Sequence, residues 1–430
     1  MNIIKNLFII QLLAFGVTIS CHAEIVMPAH VITTEPRVKS VEWKQNGHHQ
    51  TFPVININNT NSLTLCFDII GHDDIDNSFS WLQCSLEHRN IDWEGDNSIF
   101  NEIVDNFNVF DIGYGEPSVP GLTTVPYRHY TFSVSTDELG IKLSGNYMLN
   151  VFLENNPDSI LLSVPFMVEE QTVKISGSIS PVTDIDYKNG HQQLSVTVEN
   201  ERVDNRVGPQ DIIVEIGRNN EINYLRKLTN PTGISKNKFV YEHQKQLIFD
   251  AGNEYNRFST TSTNHQDINI EKVEWLDPFY HHFIKTDSPR GNQNYIYDET
   301  QFGGFTIHEH NSDHPEIESD YSIVHFFLDL PEQSSRDIYI LGDGTGIIAN
   351  ETNRMLWDDK NKIYTKSFFL KQGVYDYKYF TSDENLLNLL EGNYSDTRNQ
   401  FRVSVYYRIP GERYDRLAGT TLLRSYTTNR

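Results

Sequence analysis

Four short stretches carry residue types capable of chemistry. The segment "HEHNSDH" holds His308, His310 and His314 beside Asp313. A His-x-His pair on a strand projects both rings to one face, an arrangement zinc can use. The segment is polar throughout and has no second ligand cluster, so it reads as a solvated connector. "HDDIDNS" places Asp73, Asp74 and Asp76 close together. A calcium loop also needs a glycine at its turn and a distal bidentate glutamate. The glycine is missing, and an exposed loop between strands fits better. "GDGTG" at 342–346 follows the strand-like "DIYIL" but leads into no helical pattern and holds no lysine. It reads as a turn rather than a phosphate cradle. Near the C-terminus, "QFRVSVYYRIPGERYDRLAG" alternates like a strand, then gathers three arginines, two acids and a tyrosine around Pro410-Gly411. It is either a reactive loop or a strand that ends in a charged turn.

No Gly-x-Ser-x-Gly, His-Glu-x-x-His or Cys-x-x-Cys occurs. A glycosidase acid pair could come from distant strands, but no motif places one. Enzymatic activity is therefore not expected, and neither a cofactor nor a metal is called for.

The elements that must position these residues follow from composition. The chain has 430 residues, enough for two to four domains. Its formal net charge is -23, from 58 acidic and 35 basic side chains. That disfavours nucleic acid, whose phosphates need a basic face, and an anionic membrane surface. The 22 Tyr and 24 Phe lean toward strands. Lys5 precedes the apolar "LFIIQLLAFGVTI", and "SCHA" ends at Ala23. This is the pattern of a secretory signal peptide over 1–23, cleaved after Ala23. The rival is a lipoprotein acylated at Cys21. No other run reaches the length of a membrane span, so no direct span is expected. An exported chain would keep Cys66 and Cys84 in a compartment that permits a disulfide. A bridge and two free core thiols both remain open.

Strand signals dominate. "SLTLCFDII" alternates Leu63, Leu65, Phe67 and Ile69 on one face, and further short strands follow with Gly, Asn, Asp or Pro between them. One short helix is expected over "DNSIFNEIVDNF", capped by Asp96, with Ile99, Ile103 and Phe107 at helical spacing. The fold class is all-β, as tandem immunoglobulin-like β-sandwich domains. The expected partition is 24–169, 170–318 and 319–430. The closing stretch would then be the last strand of the third sandwich. Phe401, Val403 and Val405 would face its core, Arg402 and Ser404 would point outward, and Arg413, Asp415 and Arg416 would form surface ion pairs.

Two resemblances bear on function. "DIYILGD…NRMLWDDKNKIYTKSFFLKQGVYDYKYF" resembles the immunoglobulin-like modules that bind or accompany starch and glycogen. Those modules carry a tryptophan after the first glycine turn, where this chain has Ile347-Ile348-Ala349. The likeness therefore supports fold more than sugar binding. A second set of strings runs in order from about residue 35 to 419: "LEHRNIDW", "PYRHY", "SGNYMLNVF", "FDAGNEYNRF", "LKQGVYDYKYF", "EGNY" and "TRNQFRVSVYYRIPGERYDRLAG". Together they resemble the plug proteins of the type IX secretion system. Arg89 stands where that family usually has cysteine, and Gly217 where it has glutamine.

The resemblance implies a periplasmic, non-enzymatic monomer. Its partner would be the very large outer-membrane translocon barrel, whose periplasmic opening it blocks. The alternative is a secreted carbohydrate-binding protein. Interfaces favour Trp, Tyr and Arg, so Trp93, Tyr130, Tyr407, Arg408 and Arg413 are the candidate partner-binding residues. For Trp93 and Tyr130, packing within a sandwich is the competing reading.

Overall fold

The computed structural model describes residues 30–58, 61–71, 81–95, 103–104, 109–112, 118–121, 123–200 and 202–426. The expected signal peptide with Cys21, the expected exposed loop at Asp73, Asp74 and Asp76, and most of the expected helix, including Asp96, Ile99 and Phe107, lie outside the described residues. Ile103 and Val104 are described and both are buried. The described chain is nearly all β, in six sheets that face one another in pairs.

In the first sandwich, the sheet built on Asn156–Glu169, Gly145–Leu153 and Leu82–Arg89 faces the sheet built on Val38–Gln45, Leu63–Ile70 and Tyr127–Val134. Leu63, Leu65, Phe67 and Ile69 all enter the core between them, as their alternation requires. They meet Tyr147, Leu149 and Val151 from Gly145–Leu153. The opposite faces should meet water, yet Cys66, Asp68 and Asn146 are also buried. Something covers this sandwich from outside on both sides, and the covers are the other two sandwiches.

The second sandwich sets Val173–Ser180, His191–Asn200 and Lys238–Tyr241 against a sheet of Leu225–Leu228, Ile212–Arg218, Gln400–Tyr407 and Arg416–Arg424. The third sets Asn256–Ser259, Gly373–Phe380 and Phe305–Ile307 against a five-stranded sheet. That sheet runs Ile270–Leu276, Phe279–Ile284, Tyr321–Leu328, Ile363–Lys371, Leu356–Asp358. Phe258, Phe326 and Tyr377 pack edge to face at its centre.

The pairing departs from the expected partition in two places. Gln400–Tyr407 lies beside Ile212–Arg218, from Ile212↔Tyr407 to Arg218↔Phe401, so the closing hairpin completes the second sandwich and not the third. Strands from Asn256 to Ile284 and Phe305–Ile307 belong to the third sandwich, whose core takes Phe258, Ile270, Ile284 and Phe305. The third sandwich is thus inserted between strands of the second. Alternation tells which face of a strand is buried but not which strand lies beside it. Phe401, Val403 and Val405 do reach a core, all fully buried. Arg402 is half-buried against Phe52 and Glu215, and Ser404 is buried rather than outward.

The insertion predicts that removing residues 400–430 destroys the second sandwich rather than the third. Amides of Ile212–Arg218 should lose hydrogen-exchange protection, while those of Tyr321–Leu328 keep it. Phe401→Ala should cost about 3–5 kcal/mol in urea unfolding.

Candidate functional site: the junctions of the three sandwiches

The first and third sandwiches meet around one carboxylate. Asp68 leaves the outer face of Leu63–Ile70 and is wholly buried. Lys371 Nζ and Tyr321 OH, both from the third sandwich, donate to its Oδ2 at 2.6 Å each. Its Oδ1 accepts from His129 Nδ1 at 2.6 Å. Ser40 donates to the Tyr321 hydroxyl at 2.6 Å. Lys371 also donates to Glu316 O at 2.5 Å and lies over the Tyr127 ring at 4.2 Å. Burial lowers the Lys371 pKa, and Asp68 offsets part of that. Burial, then Asp68, raises the Tyr321 hydroxyl well above its ordinary value. Beside this group, Asp320 accepts from the backbone of Thr124 at 2.8 Å and of Val125 at 3.0 Å. A His–Asp pair invites a catalytic reading. This one is sealed from solvent, and its free valences are filled by an ammonium and a phenol, so it acts as a clamp.

The first and second sandwiches meet through the closing hairpin. Its loop carries Asp415, buried, which accepts from Ile91 N at 3.0 Å and from Arg408 Nε at 2.9 Å. Tyr406 OH donates to Asn146 at 2.8 Å, and Tyr407 OH donates to Glu170 at 2.7 Å. Arg416 binds Glu170 at 3.1 Å as well as Glu412 at 2.8 Å. Trp93 packs with Ile91, Met167, Tyr406 and Leu417, so it seals the seam between the two bodies. Asp92 beside it pairs with Lys227 of the second sandwich. Gly145 has φ +135, and a Cβ there would stand 2.4 Å from His88 Nε2 and 2.9 Å from the Asp415 carbonyl. Only glycine admits this close approach.

All three sandwiches converge on the glycine turn at 342–346. Its Asp343 accepts from Asn220 of the second sandwich at 2.7 Å and from His49 of the first at 3.2 Å. His49 also reaches Glu42 at 3.4 Å. Burial alone would lower the His49 pKa, but its bonds to Asp343 and Glu42 raise it to about 9. Behind this turn, a cavity of about 450 Å³ opens between the second and third sandwiches, with Arg218, Glu221, Tyr255 and Lys378 in its wall. Burial would raise the Glu221 carboxyl, yet Arg218 and Lys378 hold it down to about 2. Arg218 and Lys378 are both paired with Glu221, and Asp250, Asp343 and Glu391 line the same wall, so its cations are engaged within the chain.

Of the candidate partner-binding residues, three face inward. Trp93 lies in the seam, Tyr130 stacks on Phe67 at 5.2 Å, and Tyr407 is bonded to Glu170. Each is about 5% exposed or less, which removes it from the surface. Arg408 is half-exposed and Arg413 exposed, on the rim of the loop that Asp415 anchors. Asp415 and Arg416 were expected in surface pairs; instead they join two sandwiches. His308, His310 and His314 are exposed along a connector. Among the described residues, no group of three or more His, Cys, Asp or Glu could hold a metal ion. Cys66 and Cys84 are both free and buried. They sit in opposite sheets, Cys84 between them and Cys66 on the outer face beneath the third sandwich, where burial pushes its thiol up to about 12. Sequence reasoning missed Asp68, Lys371 and Asp343. The one available signal was an acid and a lysine within otherwise apolar, aromatic strands.

The described residues thus form an all-β body of three docked sandwiches, held by polar seams and closed around its most reactive-looking groups. No helix among them is long and apolar enough to cross a membrane. Residues 38–170 match the family model of the type 9 secretion system plug protein 1st domain. The chain belongs to that plug protein family, a structural component of type IX secretion with a periplasmic or outer-membrane-associated setting. It is also similar over 93% of its length to the whole of a hypothetical protein from Parabacteroides merdae ATCC 43184, whose crystal structure was solved at 2.30 Å. The two share 30% identity with a TM-score of 0.85. No curated protein matched the chain.

Three outcomes follow. Lys371→Met takes the ammonium away from buried Asp68, leaving only Tyr321 and His129 on it, and should cost about 3–5 kcal/mol in urea unfolding, part of it recovered by adding Asp68→Asn. Gly145→Ala should cost about 1–3 kcal/mol through overpacking of the seam between the first and second sandwiches. His49 has a folded pKa above its unfolded value of 6.5, so its contribution is complete below pH 6.5 and lost as pH rises through about 9. Hydrogen-exchange protection at the 342–346 turn, taken relative to the intrinsic base-catalysed rate at each pH, should fall over that range in the wild type, and His49→Gln should abolish that fall.

Proposed function

We propose that this protein binds the outer-membrane translocon barrel of the type IX system and plugs its periplasmic opening. The observation that carries the proposal is the plug-domain match over residues 38–170. The architecture supports it. A pore wide enough for folded cargo leaks unless something of similar bulk stands in it, and blocking needs shape rather than a reactive group. Three sandwiches braced pairwise by buried polar contacts supply a stiff body of that kind. The signal peptide would direct export and be cleaved after Ala23, and the mature protein would act as a monomer. The carbohydrate-binding alternative gains little, since Trp357 packs on the third core against Tyr364 at 5.0 Å instead of standing free for a sugar.

Affinity purification of the tagged protein from cell envelopes should recover a very large outer-membrane barrel, and deleting the gene should raise permeability to large antibiotics. Absence of the barrel from repeated preparations, with unchanged permeability, would refute the proposal. Arg408→Glu combined with Arg413→Glu should weaken recovery several-fold if the closing loop touches the barrel. Equal recovery leaves that loop with its seam role alone.

A further inference from the structure

Residues 285–304 join Phe279–Ile284 to Phe305–Ile307 as a strap with neither helix nor strand, apart from one bridge at Asp287. Irregular connections longer than about 12–15 residues are uncommon in compact bodies and are usually functional. The first half of the strap is firmly held. Tyr377 and Tyr379 donate to Asp287 at 2.5 and 2.6 Å. Arg290 pairs with Glu391 of the helix Glu384–Glu391, and Gly291 N donates to Leu389 O at 2.8 Å. A Cβ at Gly291 would stand 1.9 Å from Asn388 O, so the strap lies directly on that helix.

The second half is fastened to two buried carboxyls that lack a full set of partners. Tyr295 OH donates to Glu254 Oε1 at 2.7 Å. The amides of Gln301 and Gly303 donate to Asp376 Oδ2 at 2.5 and 3.3 Å. Tyr375 and Tyr377 enter the core of the third sandwich, so Asp376 between them faces outward, beneath the strap. The second oxygens, Glu254 Oε2 and Asp376 Oδ1, are buried without a hydrogen-bond partner. A carboxylate spreads its charge over both oxygens, so an unbonded dry oxygen costs far more in the charged form than in the neutral acid. Burial accordingly raises both carboxyls, Asp376 to about 7.

The neighbouring charges are committed elsewhere. Beside Asp376, Arg257 is paired with Asp298 of the strap at 2.8 Å and also donates to Glu299 O. Asp343 on the adjoining turn is engaged by His49 and Asn220, and Lys378 on the same strand is paired with Glu221 at 3.2 Å. Around Glu254, Arg290 is held by Glu391 and Lys378 by Glu221. Arg398 gives Glu254 its backbone amide at 2.9 Å, while its guanidinium lies over Tyr426 at 4.0 Å.

We propose that residues 295–304 are a proton-operated latch, closed on the sheet while Asp376 and Glu254 carry protons and lifted when they ionise. Lifting returns both carboxyls to water and widens the cavity of about 450 Å³ that Gly303 and Tyr255 line. With water restored, the Asp376 carboxyl returns toward its ordinary 3.8. The closed form is therefore fully favoured below about pH 4 and loses that advantage as pH rises through about 7. The latch works in this way whether or not the body closes a pore.

Hydrogen exchange on the full-length protein from pH 5 to pH 8, taken relative to the intrinsic rate at each pH, tests the latch. The amides of Gln301 and Gly303 should exchange before those of Tyr321–Leu328 at every pH. Their protection should fall roughly tenfold or more between pH 5 and pH 7 and level off above that. His49 acts at higher pH, so its effect on the 342–346 turn is separable. Asp376→Asn should remove most of the fall, and adding Glu254→Gln the rest. The wild-type measurement decides even if the variants fail to fold. Strap amides that exchange only together with Tyr321–Leu328, or protection that stays constant from pH 5 to pH 7, would overturn the latch. A fall that persists in a folded double variant would overturn it too, by placing the titrating group elsewhere.

Discussion

Everything in this molecule turns on how a carboxyl group is given partners where no water reaches. Asp68 is fully buried, and so is Lys371 opposite it. An isolated carboxylate in such a place costs several kcal/mol. The cost is met only when the first and third sandwiches are in register, because Lys371 and Tyr321 arrive from the third while His129 and Ser40 come from the first. Replacing such a group by apolar side chains can match its stability. What the polar arrangement adds is position: a slide of one residue would strand the charge. The clamp therefore fixes the angle between the sandwiches rather than merely gluing them.

The second seam applies the same logic with a different instrument. The closing hairpin is held by its own sandwich through Ile212–Arg218, and its loop is anchored in the first through Asp415 and Tyr406. The third sandwich is inserted into the second, so both of its connections return to one body. Asp343 ties the remaining corner. A body braced on three sides suits a stopper, whose job is to resist deformation while cargo pushes past or waits.

Much of this was legible in the residues and some was not. The alternation of Leu63, Leu65, Phe67 and Ile69, and of Phe401, Val403 and Val405, correctly gave strands and buried faces. The glycine turn at 342–346 and the bend at Pro410-Gly411 follow from local chemistry, and both are present. Which strand the closing stretch joins was not legible, since pairing is decided by partners far away in the chain. The candidate site suffered from the same limit. Trp93, Tyr130 and Tyr407 have the composition of an interface, and Trp93 and Tyr407 do serve one, but inside the chain. An internal seam and an external docking face draw on the same residue types. Only burial separates them, and burial is a property of the assembled fold.

The central claim is that this body closes a pore. Its most direct test is electrical: the translocon barrel, purified without this protein, is inserted in a planar bilayer and the protein is added from the periplasmic side. The account predicts that a large conductance falls to near baseline at protein concentrations close to stoichiometric. A conductance that persists at saturating protein, with the barrel shown to be correctly oriented, would contradict it.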